Sequence, residues 1–196
     1  LGPFIPLLMD LPPEMLAPLA PIQLLWLNLV TDGAPALALS TEKGDPDIMM
    51  QKPRPPREPI INSRMWVGVV TQTITITAVV LLAFWRGLGH DIMYAETMAF
   101  LTLSLSELLR AYTARSETYP LFSIGVFSNK WMNLAVLASA VLVLAVVYIP
   151  FLNPIFKTEP LGWQEWTLIL PLLIIPSVVA ELVKWLQRRA EQSKMA

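Results

Sequence analysis

Residues 21–39 read PIQLLWLNLVTDGAPALAL. The stretch is apolar for nearly the length of a bilayer-crossing helix, about 20 residues. It opens at Pro21, a residue type favoured at the first helical position. Yet an amide, a hydroxyl and a carboxylate, those of Asn28, Thr31 and Asp32, fall within a few positions of its centre. In an α-helix the spacing i, i+3, i+4 stacks them on one face. Asp32 lies well inside the span, where an unpaired carboxylate costs at least about 2.5–3.5 kcal/mol on insertion scales. Something must offset that cost.

The following residues suggest how. Pro35 has no N–H to give to the carbonyl four residues back, that of Thr31, and Gly33 allows the backbone to leave the helix. TDGAP therefore predicts a local unwinding near 31–35 that frees a carbonyl level with the carboxylate. Amide, hydroxyl, carboxylate and carbonyl are all hard oxygen donors. Ca²⁺ takes 6–8 of them, and broken helices at mid-membrane hold coupling ions. Two other readings of these residues stay open: a hydrogen-bonding patch between helices with Asp32 protonated, and a carboxylate in a proton relay.

Working outward, four more stretches have the length and composition of membrane spans: 65–85, 92–112, 131–151 and 166–186. Residues 1–9 are apolar but short and broken by Pro3 and Pro6, as expected for the end of a sixth, preceding span. The expected fold is all-α: a polytopic bundle of five membrane helices over 21–196, preceded within 1–20 by the end of another helix and an exoplasmic loop. TQTITIT at 71–77 alternates like a strand, but a lone strand in lipid leaves its backbone groups unpaired, so helix is expected.

The composition agrees. The chain has 196 residues, 55% of them hydrophobic and 15% charged, with a mean hydropathy of +0.55. A soluble domain carries about 25% charged residues. A net charge of −1 gives no footprint for nucleic acid, and the absence of cysteine excludes disulfides and thiolate metal sites. The first residue is leucine and no signal-peptide pattern follows it, so an internal or C-terminal piece of a longer protein is expected. Twelve Lys and Arg fall in segments 40–64, 110–130 and 184–194, against only Arg86 and Lys157 on the other side. The positive-inside rule makes the first group, and the C-terminus, cytoplasmic. Tryptophans 66, 85, 131, 163, 166 and 185 fall near span ends, as an aromatic belt requires. The loop 41–63 carries five prolines and should be extended and stiff, either a plain linker or a docking strip for a cytoplasmic partner.

A second carboxylate, Glu107, sits inside the span 92–112 beside Ser104 and Ser106, with Arg110 one turn later. Its residues allow two roles: a local ion pair with Arg110 at i, i+3, or a further cation ligand. Glu181 with Lys184 reads as an interfacial pair, and Gln72 with the threonines of 71–77 as interhelical hydrogen bonds.

PIQLLWLNLVTDGAPALAL followed by DPDIMMQKPRPPREPII resembles the P-type cation-transporting ATPases of the calcium-pump branch, at their sixth transmembrane helix and the cytoplasmic loop after it. The resemblance implies that residues 1–9 end the fifth helix and that the later spans are helices seven to ten. It implies that Asn28, Thr31 and Asp32 are ion ligands, that Ca²⁺ or a related cation is the transported ion, and that the proline-rich loop couples the membrane part to the phosphorylation domain. Thr97–Glu107 is similar to the eighth helix of reticulum-type calcium pumps, where a ligand glutamate follows TMA at this spacing, which implies a metal role for Glu107.

The chain carries no DKTG and no Walker-type phosphate loop. The expectation is therefore the C-terminal transmembrane part of an ATP-driven cation pump. ATP and Mg²⁺ would act in the full-length protein and not bind here, and this chain alone should be inactive. Its partners would be the lipid bilayer, the N-terminal helices and the cytoplasmic domains. The expected location is multi-pass, in a prokaryotic plasma membrane. The rival readings are a secondary transporter, which calls for a second broken segment that the chain does not show, and a non-transporting helical scaffold.

Overall fold

A computed structural model describes residues 18–45, 47–50, 61–116 and 118–195. The expected helix end at 1–9, most of the loop 10–20 and the proline-rich run 51–60 lie outside them. Every regular element among the described residues is helical. The first, α1, covers Pro21–Leu39 and changes character midway. It is followed by α2 (Ser63–Gly87), α3 (Ile92–Thr113), a single turn α4 (Leu121–Ile124), α5 (Lys130–Tyr148), a second single turn α6 (Asn153–Phe156) and α7 (Trp163–Met195). TQTITIT lies within α2. Five of these helices are long and apolar enough to cross a membrane: α1, α2, α3, α5 and α7.

Short polar side chains start the helices. Asn62, Asp91 and Asn129 each occupy an N-cap and accept the backbone N–H three residues on, from Met65, Tyr94 and Met132. The last helix is longer than the apolar pattern suggested. It continues to Met195, and Pro171 and Pro176 lie inside it. The Pro176 carbonyl receives Gln72 Nε2 at 3.0 Å, the interhelical bond expected of that glutamine. Thr75 differs: its hydroxyl bonds back to Thr71 O at 2.8 Å within the same helix, since a threonine's nearest acceptor is the carbonyl one turn earlier.

Helix α3 is the hub. It packs against α1, α2, α5 and α7, and 56% of its span is buried, against 22–33% for the other four spans. Ala95, Ala99, Phe100 and Leu101 of α3 are fully buried with Val143, Val146 and Val147 of α5 and Ile169 of α7. Small side chains permit the closest contact, as membrane packing requires. At Gly87 a Cβ would lie 2.5 Å from the Ala95 Cα, so any side chain there forces the backbones apart where α2 turns into α3. Outward faces carry exposed leucines, valines and isoleucines, and Trp66, Trp85, Trp131, Trp163 and Trp185 are exposed near helix ends.

Candidate cation site

The irregularity of α1 falls earlier than the proline suggests, and it is of another kind. The helix does not unwind at TDGAP. It widens into a π-helix over Leu27–Asp32 and resumes as α-helix over Gly33–Leu39, through Pro35. One extra residue in the turn carries the upstream carbonyls away from the Pro35 ring, which an unbroken α ladder would not allow. Gly33 keeps an ordinary helical φ of −63°, so its conformational freedom is not used. A carbonyl is released all the same. With no proline N–H five residues on, Val30 O accepts the Ser139 hydroxyl of α5 at 2.7 Å.

The widening also separates the three polar residues. Asn28 and Asp32 stay on the exposed face of α1, while Thr31 is turned inward and is 2% exposed. Its Oγ1 lies 2.7 Å from Leu27 O and 3.3 Å from Glu107 Oε2 of α3. A hydroxyl has one proton, and the shorter contact takes it. The Glu107 carboxylate remains within hydrogen-bond reach of Thr31 Oγ1, so the two oxygens stand as neighbours. Oxygens that share a cation at about 2.4 Å lie roughly 3.4 Å apart across a right angle, which is the spacing seen here.

Glu107 is half-buried, and its carboxylate is not paired with Arg110: no ion pair joins the two among the described residues. Three of the four expected ligands thus belong to one helix, and the fourth reaches them across the α1–α3 contact. Among the described residues no three His, Asp or Glu side chains gather into a metal cluster. The donor set is two carboxylates, one amide oxygen and one hydroxyl; if each side chain gives one oxygen, that is fewer than the six or more Ca²⁺ takes.

Asn28 and Asp32 share the outer face of α1 with Leu25 and Leu29, which are 62% and 68% exposed. Lipid against this face would leave a carboxylate uncompensated. Further protein against it would not.

Both ends of α1 are fastened. At one end Gln23, fully buried, accepts Ala20 N–H at 3.1 Å and donates from Nε2 to the carbonyls of Phe156 and Lys157 at 3.0 and 3.2 Å. Trp26 meets Phe156 edge-on at 4.9 Å. At the other end Glu42 forms a bidentate pair with Arg115, both contacts 2.8 Å, and the arginine side chain is fully buried. Arg115 also donates to the carbonyls of Gly125 and Val126. Asn129 Nδ2 reaches Glu42 Oε2 at 2.8 Å and Ala38 O at 3.2 Å. Arg115 and Asn129 together hold the Glu42 carboxyl below the ordinary glutamate range against the opposing effect of burial. None of Gln23, Glu42, Arg115, Asn129 or Ser139 stands out in the sequence, because each acts on a residue remote along the chain. The expected pair of Glu181 and Lys184 is present at 2.9 Å.

The chain is similar to known proteins. The family model for the cation transporting ATPase C-terminus matches residues 16–186. A calcium-transporting ATPase of Bacillus subtilis (strain 168) is 40% identical over 82% of this chain and 18% of its own length. Calcium-transporting ATPase 1 of Bacillus cereus is 36% identical over 85% of the chain and 21% of its own length. Calcium-transporting ATPase type 2C member 1 of Pongo abelii is 33% identical over 89% and 19%. The chain thus spans about a fifth of the length of these relatives.

Proposed function

The chain belongs to the family of cation-transporting ATPase C-termini, and from that premise we propose that its bundle supplies part of the ion site of an ATP-driven Ca²⁺ pump. Asn28, Thr31, Asp32 and Glu107 are the ligands this chain contributes. The observation that carries the reading is the juxtaposition of Thr31 Oγ1 and Glu107 Oε2 at 3.3 Å beside an exposed Asn28 and Asp32. These oxygens form one side of a coordination shell whose other side lies open. Helices outside this chain supply the remaining oxygens and cover the face of Leu25 and Leu29, which offsets the cost of a carboxylate in lipid. Phosphorylation and ATP and Mg²⁺ binding belong to segments outside this chain, so the chain alone does not turn over ATP.

The 40–64 segment and the C-terminus face the cytoplasm of a prokaryotic cell, on the side that carries most of the basic residues. Met49 and Met50, 93% and 90% exposed, offer the loop after α1 an apolar contact for a cytoplasmic domain. The secondary-transporter and scaffold readings are disfavoured, since the relatives are calcium-transporting ATPases.

The test is Asp32→Asn in the full-length protein, reconstituted in vesicles. The substitution keeps size and removes a charge that faces a divalent ion in a low dielectric. Loss of one charge-assisted contact weakens apparent Ca²⁺ affinity about 10- to 100-fold, with ion-dependent ATP turnover falling in step and expression unchanged. Unaltered affinity and turnover would remove Asp32 from the ion path and return the polar cluster to a role in helix packing.

A further inference from the structure

Where α2, α3 and α7 meet, at the end carrying most of the Lys and Arg, a cavity of about 300 Å³ opens between them, and no residue of α1 lines it. Gly68, Val69 and Val183 give it an apolar wall, and Arg110, Lys184 and Gln72 give it polar groups. Lys184 is satisfied: its Nζ donates to Thr113 O at 2.6 Å and pairs with Glu181 at 2.9 Å. Arg110 is not. Its guanidinium makes no hydrogen bond or ion pair among the described residues, because Glu107, one turn back, reaches toward Thr31 instead. Gln72 is 6% exposed, and while its Nε2 holds Pro176 O, its buried Oε1 has no donor.

The cavity is therefore lined by a cationic fork whose donors have no hydrogen-bond partner among the described residues. Asp32 and Glu107 lie within electrostatic reach of Arg110, but a guanidinium with unfilled donors in a membrane span is still costly, and its planar fork matches the oxygens of a phosphate. The apolar wall continues onto outward surface, where Val69, Val70 and Leu182 are 41%, 48% and 52% exposed. An anion that carries acyl chains meets both surfaces, and basic pockets between membrane helices take lipid head groups. We propose that this cavity binds a phosphate ester, the head group of an anionic phospholipid, with Arg110 on the phosphate.

The experiment measures binding, not transport, so its outcome is separate from that of the ion site. Full-length protein in detergent is titrated with phosphatidylglycerol, and retained lipid is counted by native mass spectrometry against a phosphatidylcholine control. Arg110→Gln weakens phosphatidylglycerol binding about tenfold or more, and Arg110→Lys restores part of it. Gly68→Leu tests the space without touching the charge. A Cβ at Gly68 meets nothing within 4 Å, so the leucine side chain starts in open space, takes up cavity volume and weakens binding as well. Arg86→Gln, the same charge change at the other end of α2, leaves binding intact. Millimolar inorganic phosphate does not displace the lipid. Displacement would overturn the lipid assignment in favour of a soluble phosphate. Equal phosphatidylglycerol affinity in the parent, Arg110→Gln and Gly68→Leu proteins, or equal affinity for phosphatidylcholine, would overturn the site itself.

Discussion

The Glu42–Arg115 pair should be among the most expensive contacts to break. The arginine side chain is fully buried and the glutamate is 13% exposed, so removal of either leaves a charge with little access to water. Loss of one partner from a buried pair costs about 3–5 kcal/mol. Arg115→Ala should fall near the lower end, about 3 kcal/mol, because Glu42 keeps Asn129 and some solvent. Glu42→Ala should cost about 2 kcal/mol, since Arg115 retains the carbonyls of Gly125 and Val126. A double-mutant cycle should return a coupling energy of about 2 kcal/mol. The assay is unfolding of the full-length protein in mixed micelles by added sodium dodecyl sulfate, followed by tryptophan fluorescence and circular dichroism. A coupling below about 0.5 kcal/mol, the value of a solvent-exposed pair, would refute the argument.

The same pair fixes a pH dependence. The folded Glu42 carboxyl lies below its ordinary value, 4.5, chiefly through its hydrogen bonds to Arg115. A carboxyl depressed in the folded state stabilises fully above its unfolded pKa and loses that contribution as pH falls through the folded value. Stability due to this pair should be flat between neutral pH and about 5 and decline below 4.5. Glu42→Gln should remove that part of the decline. An acid limb of unchanged depth in Glu42→Gln would assign the loss to other carboxylates.

Three further outcomes follow from single contacts. Gly87→Ala sets a methyl group against backbone, 2.5 Å from Ala95 Cα, and should cost about 1–3 kcal/mol in the micelle assay; a neutral result would mean that α2 and α3 separate easily. Ser139→Ala deprives Val30 O of its 2.7 Å donor and should cost about 1–3 kcal/mol for a buried unsatisfied carbonyl, with Ca²⁺ affinity shifting too if Ser139 helps to hold the π segment; a stability loss with unchanged affinity would confine it to packing. Glu107→Gln should lower apparent Ca²⁺ affinity in the full-length protein about tenfold with little change in unfolding, whereas a fall in stability alone would restore the ion pair with Arg110.

The membrane spans were legible because a bilayer sets their length without reference to neighbours: 21–39 and 92–112 coincide with helices to within a residue. The helix starts were equally local, since Asn62, Asp91 and Asn129 bond only three residues ahead. Pro35 announced a defect in α1 but not its form. The carbonyl that the defect releases is taken up by Ser139, which lies 109 residues from Val30 in sequence. Helical spacing placed Asn28, Thr31 and Asp32 on one face, and that arithmetic assumed 3.6 residues per turn. The π segment changes the count and sends Thr31 inward to Glu107. Neither the choice of Glu107 between Thr31 and Arg110 nor the cradle around Arg115 has any signature at short range.

Those long-range contacts share a purpose on α1. The helix is held near one end by Gln23 on the Phe156 and Lys157 carbonyls, beyond the other by Glu42 in the Arg115 cradle, and midway by Ser139 on Val30. All three anchors use side-chain hydrogen bonds, which fix direction as well as distance. A helix fastened only by apolar contact can slide or turn about its axis at modest cost, because one methyl contact replaces another. A helix fastened at three points by directed bonds cannot turn without breaking one of them. That restraint matters most where α1 is least regular. A π turn leaves rotation about the axis poorly defined by its own ladder, and a small rotation there would carry the Thr31 hydroxyl away from Glu107. The anchors flank the π segment and enter it at Val30, so they fix the backbone that carries Asn28, Thr31 and Asp32, although Asn28 and Asp32 themselves lie on the open face.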